Sequence, residues 1–280
     1  MVAPLRKVMV RRPDESFAVD NPVEWHYTGI PDLKAAQEEH DALVGILQSS
    51  GIEVIFHNAS LPLMADSIYV FDPALVTDAG AVILRMGKAL RRGEEEAMEQ
   101  QLKAAGVPVL GKLEGEALAE VGDLLWLDNS TLAVGVGFRT NLEGVRQLRQ
   151  ILAPLITEVI PVDLPYWYGP DACLHLLSLI SLVDDDLGIA YSKLLPVQLW
   201  QILKNRGVDL IEVPAEEFPS MGGNVLALEP RKCLMLAGNP VAKSRLETAG
   251  CDVITYKGDE ISLKAEGGPT CLTRPLWRKI

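Results

Sequence analysis

The sequence predicts an α/β fold: a single domain, residues 1–280, built as a five-bladed ββαβ propeller with pseudo-fivefold symmetry. Two observations carry this expectation. The first is a repeated helix-to-strand junction, seen in LQSSGIEVIFH, LKAAGVPVLGK, LAPLITEVIPV, LKNRGVDLIEV and LETAGCDVITY. Their pivots are Gly51, Gly106, Thr157, Gly207 and Gly250, spaced 55, 51, 50 and 43 residues apart. Leu-x-x-x-Gly reads as a last helical turn followed by a residue in the left-handed region, where glycine costs least. The β-branched residues behind it read as a strand. The second observation is a pair of short strands ahead of the helices. Five small sheets can stack linearly or close into a ring. Closure removes the exposed ends that an open array has to cap, so a ring is expected.

The elements follow in order. Asp32–Ser50 has helical periodicity, with Leu33, Ala36, His40, Leu43, Val44 and Leu47 on one stripe, and Gly93–Ala105 repeats the pattern. The clearest hairpins are DLLWLDNSTLAVGVG, turning at Asp128-Asn129-Ser130, and NVLALEPRKCLMLAG, turning at Glu229-Pro230-Arg231. SIYVFDPALV with AVILRMG, and HLLSLISLVDDDLGIAYS, supply two more. The acidic run Asp184-Asp185-Asp186 reads as a solvated hairpin tip, and LRRGEEEAMEQQ as a loop entering a helix with acids in its first turn.

Composition narrows the function. With 38 acidic against 26 basic residues the net charge is −12. Nucleic-acid binding needs a basic face, and an anionic membrane surface attracts basic segments; neither partner is expected. A cationic small substrate is compatible with this balance. The first residues lack the apolar stretch of a signal peptide, no run reaches the length of a membrane span, and a cytoplasmic location is expected. Cys173, Cys233, Cys251 and Cys271 have no zinc-ligand spacing, and the four histidines form no HxxxH pair. Reduced thiols and no metal or cofactor are expected. The GxG of GVGFRTN is too little for a dinucleotide site.

Polar residues recur at the start of each hairpin: Asp72, Glu120, His175, Asn224 and Cys271, separated by 48, 55, 49 and 47 residues. In a closed ring, equivalent positions on successive blades meet near the axis. Taken alone, Cys271 in GGPTCLTRPL is a cysteine in a terminal turn, His175 a core histidine, Glu120 a loop carboxylate and Asp72 a turn aspartate. Convergence on one pocket turns them into a nucleophile, an acid/base and two cation-binding carboxylates. Arg91 and Arg92 read either as surface charges or as a clamp for a carboxylate.

The combination resembles the guanidino-modifying enzymes of the pentein superfamily, nearest to the dimethylarginine dimethylaminohydrolases. The resemblance runs from VRRPDESF through SIYVFDPALV, LRRGEEE, AEVGDLLWL, GFRTNLEGVRQL and CLHLLS to GGPTCLTRPL. It implies a propeller fold, Cys271 as nucleophile, His175 as general acid/base, and Glu120 as its support. It further implies Asp72 on the guanidinium, Arg91 and Arg139 on the substrate carboxylate, and Asp66 at the amino-acid end of the substrate. Two departures stand out. Phe71 replaces a second acid that commonly precedes the aspartate, and His175 is followed by Leu176-Leu177 where arginine deiminases have Leu-Asp.

The expected activity is hydrolysis of the guanidino C–N bond of arginine or an N-methylated arginine, giving a citrulline-like product and an amine. A covalent amidino-cysteine carries the reaction, and a homodimer is an open possibility. An amidinotransferase, in which an amine resolves the intermediate, and an arginine deiminase are the alternatives. A non-catalytic propeller is a third class, disfavoured by the complete set of cysteine, histidine and carboxylates.

Overall fold

In the computed structural model, which describes residues 1–170, 172 and 174–279, the chain forms five three-stranded sheets. In chain order the regular elements begin with β1 (Leu5–Val10), α1 (Leu33–Ser49) and β2 (Glu53–Phe56). The second unit is β3 (Ala74–Thr77), β4 (Gly80–Ile83), α2 (Glu94–Ala104) and β5 (Val109–Lys112). The third is β6 (Leu124–Trp126), β7 (Thr131–Val136), α3 (Leu142–Leu152) and β8 (Glu158–Asp163). The fourth adds a short helix α4 (Leu176–Leu179) before β9 (Ile180–Asp184) and β10 (Leu187–Ala190), then α5 (Val197–Asn205) and β11 (Asp209–Glu212). The fifth is β12 (Val225–Glu229), β13 (Lys232–Leu236), α6 (Pro240–Thr248) and β14 (Asp252–Tyr256), and the chain ends in β15 (Arg274–Arg278).

Each sheet has one design. A first strand pairs antiparallel with a central strand, as Ala74 does with Ile83, and the strand after the helix pairs parallel to the central one, as Val8 does with Val54. The first sheet takes its first strand from the other end of the chain, where Val8 faces Pro275 and Met9 faces Arg274. The C-terminal strand thus completes the N-terminal blade and closes the ring.

The local chemistry explains the elements. Asp32 caps α1 by accepting a 2.8 Å bond from the Ala35 N–H, and the helix runs until Gly51 takes φ 76°. Gly106, Gly207 and Gly250 do the same at the ends of their helices, whereas Thr157 does not. The α1 stripe is buried at Ala36, His40, Leu43, Val44 and Leu47. A buried leucine contributes about 1.5–3 kcal/mol, which ties the helix to its sheet. The β12–β13 turn stands at Pro230-Arg231, with Arg231 at φ 60°. The acidic tip after β9 is not simply solvated, because Arg231 of the next blade donates to Asp184 and Asp186, both at 2.7 Å.

The inner strands β3, β6, β9, β12 and β15 all line one axial cavity of about 360 Å³. Their N-terminal ends open toward one mouth of the ring, which explains why hairpin-start residues meet. Among the described residues Cys233, Cys251 and Cys271 are free; Cys173 lies outside them. None of the described helices is long and apolar enough to cross a membrane.

His40 is wholly buried on α1 with neither ring nitrogen hydrogen-bonded, and burial pushes its pKa from 6.5 down to about 4. The folded state therefore resists a proton that the unfolded chain accepts. Stability is complete above about pH 6.5 and falls as pH drops toward 4, by about 3 kcal/mol for this group. Chemical denaturation of wild type and His40→Leu across this range should show a shallower slope for the variant. Parallel curves would remove His40 from the acid response.

Candidate active site

Glu120 sits just ahead of β6 and is fully buried. Its Oε2 meets His175 Nε2 at 2.7 Å. Its Oε1 accepts from the backbone N–H groups of Gly87 (2.9 Å) and Lys88 (3.1 Å), and from Arg139 Nη1 (3.1 Å). Burial alone would raise its pKa. The Arg139 guanidinium and the bonded His175 overcome it and hold the carboxyl well below its usual range. A carboxylate so held keeps the imidazole in one orientation and favours its protonated form.

His175 is placed by the turn into α4. The next residue's N–H, on Leu176, donates to Asp123 Oδ1 at 2.9 Å, and Ser178 Oγ accepts from His175 N at 3.2 Å. The ring leaves no room opposite: a Cβ on Gly122 would lie 2.4 Å from Nδ1. This is the physical reason for glycine in the Glu-Val-Gly-Asp run. Asp123 is itself fully buried with Oδ2 unbonded, and burial pushes its carboxyl up to about 6.

The residues around Cys271 answer to close packing as well. A Cβ on Gly267 would come 2.0 Å from the Tyr69 ring, and one on Gly268 2.4 Å from the Asn224 side chain. Only glycine lets this strand entrance pass so near. Asn224 in turn reaches the nucleophile candidate, its Nδ2 donating to Cys271 Sγ at 3.6 Å. A donor on sulfur favours the thiolate.

Asp72 Oδ1 accepts from Gly122 N (2.9 Å), and Oδ2 from Arg91 Nη1 (2.7 Å). Arg91 is buried and also bonds Glu94 through Nε and Nη2, and the Tyr69 carbonyl. One cation thus serves two carboxylates. Burial pushes Glu94 up to about 7 against the pull of Arg91, and Glu94 and Asp72 keep Arg91 charged despite its burial. Asp66 accepts from the Tyr27 hydroxyl (2.9 Å) and Lys88 Nζ (2.6 Å), and Lys88 stands 5.1 Å from the centre of the Trp25 ring.

Asp72, His175, Cys271, Asp66, Arg91 and Arg139 line one cavity of about 330 Å³, with Lys88 beside them. Phe71 does not. Its side chain lines the axial cavity instead, stacked 4.3 Å from the Arg274 guanidinium carbon. Asp72, Glu120 and His175 bring ligand atoms within 4.8 Å of one another. A cation held there would compete with Arg91 and Arg139, which already occupy these carboxylates. Sequence reasoning missed Glu94, Lys88 and Asp123. Only the glutamates at the start of α2 carried a local signal, and it pointed to a helix terminus.

The chain is similar over most of its length to proteins of one family. The family model for eukaryotic N,N dimethylarginine dimethylhydrolase matches residues 29–278. The N(G),N(G)-dimethylarginine dimethylaminohydrolase of Pseudomonas aeruginosa is 28% identical, the match covering 96% of this chain and 98% of that one. Its counterpart in Streptomyces coelicolor is 29% identical over 96% of each. An arginine deiminase from Listeria welshimeri is 29% identical over 74% of this chain and 60% of its own length. The solved cysteine-to-serine variant of the Pseudomonas enzyme, complexed with citrulline, superposes with a TM-score of 0.79 at 25% identity, covering 97% of this chain and 99% of that one. The chain belongs to the N,N-dimethylarginine dimethylhydrolase family of pentein propellers.

Proposed function

We propose that the chain hydrolyses the guanidino C–N bond of an N-methylated arginine, with Cys271 as nucleophile, His175 as general acid/base, Glu120 as its positioning partner and Asp72 as the guanidinium's counter-charge. The observation that carries the reading is the meeting of Cys271, His175 and Asp72 on one cavity, from three different blades, with His175 held on buried Glu120. The family match and the citrulline complex of the Pseudomonas relative support the substrate class.

The chemistry follows from the groups. The Cys271 thiolate attacks the electron-poor guanidinium carbon while Asp72 balances the cation. His175 gives its proton to the departing nitrogen, the C–N bond breaks and an amine leaves. The enzyme then holds an amidino-thioether. His175, now neutral, takes a proton from water; the hydroxide adds to the same carbon, and the C–S bond breaks to return the thiolate and release the ureido product. Arg139 lines the cavity as the candidate for the substrate's carboxylate. Arg91 also lines it, but its guanidinium is committed to Asp72 and Glu94, so its first effect is to keep Asp72 in place.

An unmethylated arginine substrate is the second reading, favoured by the deiminase match and by the absence of an acid at position 71. The amine separates the two: methylamine or dimethylamine from methylated arginine, ammonia from arginine. A panel of guanidino compounds, assayed for ureido product and amine, decides between them. An amidinated acceptor in place of free ureido product would instead indicate group transfer.

Cys271→Ser should abolish turnover with little change in melting temperature, and should remove labelling of the Cys271 peptide by a reactive amidine. Full activity in this variant would end the mechanism. Glu120→Gln should slow turnover about 10²–10⁴-fold, the range for a general acid/base contribution, and should move the acidic limb of the pH–rate profile. An unchanged profile would leave Glu120 as packing alone. Arg139→Ala also removes a partner of Glu120, so all substrates should lose some rate, but arginine-like substrates should weaken about 10- to 150-fold more than guanidines without a carboxylate, matching about 1.5–3 kcal/mol for a charge-assisted bond. Arg91→Ala should instead destabilise the fold by about 3–5 kcal/mol, since it leaves two buried acids without their shared cation. Equal losses on all guanidines for Arg139→Ala would remove its assignment.

A further inference from the structure

The axial cavity below the catalytic one has no part in the chemistry above, yet its wall is built in an unusual way. Its sides are the apolar faces of five inner strands, and two arginines of β15, Arg274 and Arg278, stand in them. Residues four apart on a strand share a face. Arg274 is 5% exposed and donates through Nη1 to the carbonyls of Phe71 (3.0 Å) and Ala74 (2.8 Å), and through Nε to that of Pro275 (3.3 Å). Arg278 donates to the Ala3 carbonyl at 2.6 Å and the Ala227 carbonyl at 2.9 Å. Every partner is a neutral carbonyl. Among the described residues, neither guanidinium lies within ion-pair distance of a carboxylate, and Arg274 Nη2 and Arg278 Nε make no hydrogen bond.

Arg274 is buried and Arg278 half-buried, and both differ from the other interior arginines. Arg91 meets two carboxylates and Arg11 meets Asp14. Two acids touch the wall of the axial cavity, but Asp128 is taken by Arg206 and Asp78 is exposed on the β3–β4 turn. Burial pushes Arg274 down to about 9, against the pull of Asp72 across the wall and with a further push from Arg278, and burial pushes Arg278 down to about 10. Positive charge inside an apolar cavity is best stabilised by an anion in contact with it, and among the described residues no carboxylate stands at ion-pair distance from either arginine. The volume, about 360 Å³, falls in the range that holds a small ligand.

We propose that the axial cavity is a second binding site, for a small organic monoanion with an apolar body, its carboxylate beside Arg278 and Arg274 and its chain along the inner strands. The site touches the catalytic one through a shared wall. Phe71 stacks on Arg274 and its N–H donates to the Cys271 carbonyl at 3.2 Å, while Asp72, next in the chain, faces the substrate cavity. The two are separate spaces on either side of that wall.

Isothermal titration of the full chain with octanoate, and with octan-1-ol as its uncharged counterpart, tests the proposal. Octanoate should bind at least about tenfold more tightly, the worth of one charge-assisted bond, and binding should survive alkylation of Cys271 by iodoacetamide. Arg278→Met should bring octanoate down to the affinity of the alcohol. Leu182→Trp, which fills the cavity from β9 without touching the arginines, should abolish binding and leave guanidine hydrolysis intact; it serves if the arginine variant does not fold. Equal affinity for acid and alcohol, or octanoate binding unchanged in Leu182→Trp, would overturn the proposal. Loss of binding on alkylation of Cys271 would overturn it too, by placing the anion in the catalytic cavity.

Discussion

The structure around the catalytic cavity depends on one buried carboxylate. Glu120 has no access to water, so its charge persists only because Arg139, His175 and two backbone N–H groups surround it. Those partners come from three separate stretches: the loop after β4, the loop after β7, and the entrance to β9. Remove the carboxylate and a guanidinium and an imidazole lose the charge they are matched to, inside a site where such an imbalance costs several kcal/mol. The same ion therefore joins three blades and orients His175, which shares a cavity with Cys271. Stability and chemistry meet in it.

A second constraint follows from closing a ring of five small sheets. Each inner strand ends at the axis, so five chain entrances crowd one space. Crowding selects glycine where backbones approach side chains, at Gly122 against His175, Gly267 against Tyr69 and Gly268 against Asn224. It also concentrates charge. Asp72, Glu94, Glu120 and Asp66 are four acids, balanced by Arg91, Arg139 and Lys88.

Much of this was legible in the sequence, because the repeat is local. The helix ends at Gly51, Gly106, Gly207 and Gly250, the hairpin turns, and the spacing of Asp72, Glu120, His175, Asn224 and Cys271 all depend on near neighbours or on a constant repeat length. What escaped depends on partners far along the chain. Arg91 read as a clamp for a carboxylate, yet Asp72 and Glu94 engage it, one from another blade element and one from the next helix turn. The acidic tip at Asp184–Asp186 read as solvated, yet Arg231 lies over it, 45 residues from the nearer acid in that pair. Nothing in the immediate sequence marks Lys88 as Asp66's partner or Asp123 as the anchor for the residue after His175. Ion pairing across blades has no period and leaves no local pattern.

Phe71 shows how a single replacement divides the interior. Phe71 and Asp72 lie in the turn that leads into β3, and their side chains line different cavities. Asp72 faces the catalytic one and Phe71 the axial one; Cys271 and Thr270 divide in the same way. An acid at position 71 would stand against Arg274 and neutralise it. A phenylalanine gives Arg274 only the face of a ring, worth about 0.5–2 kcal/mol, and cannot match a buried cation as a carboxylate does. Arg274 therefore has, among the described residues, an aromatic face and carbonyls as its contacts and no carboxylate at ion-pair distance. Position 71 thus bears on the charge of the axial cavity, while Asp72 beside it faces the substrate cavity.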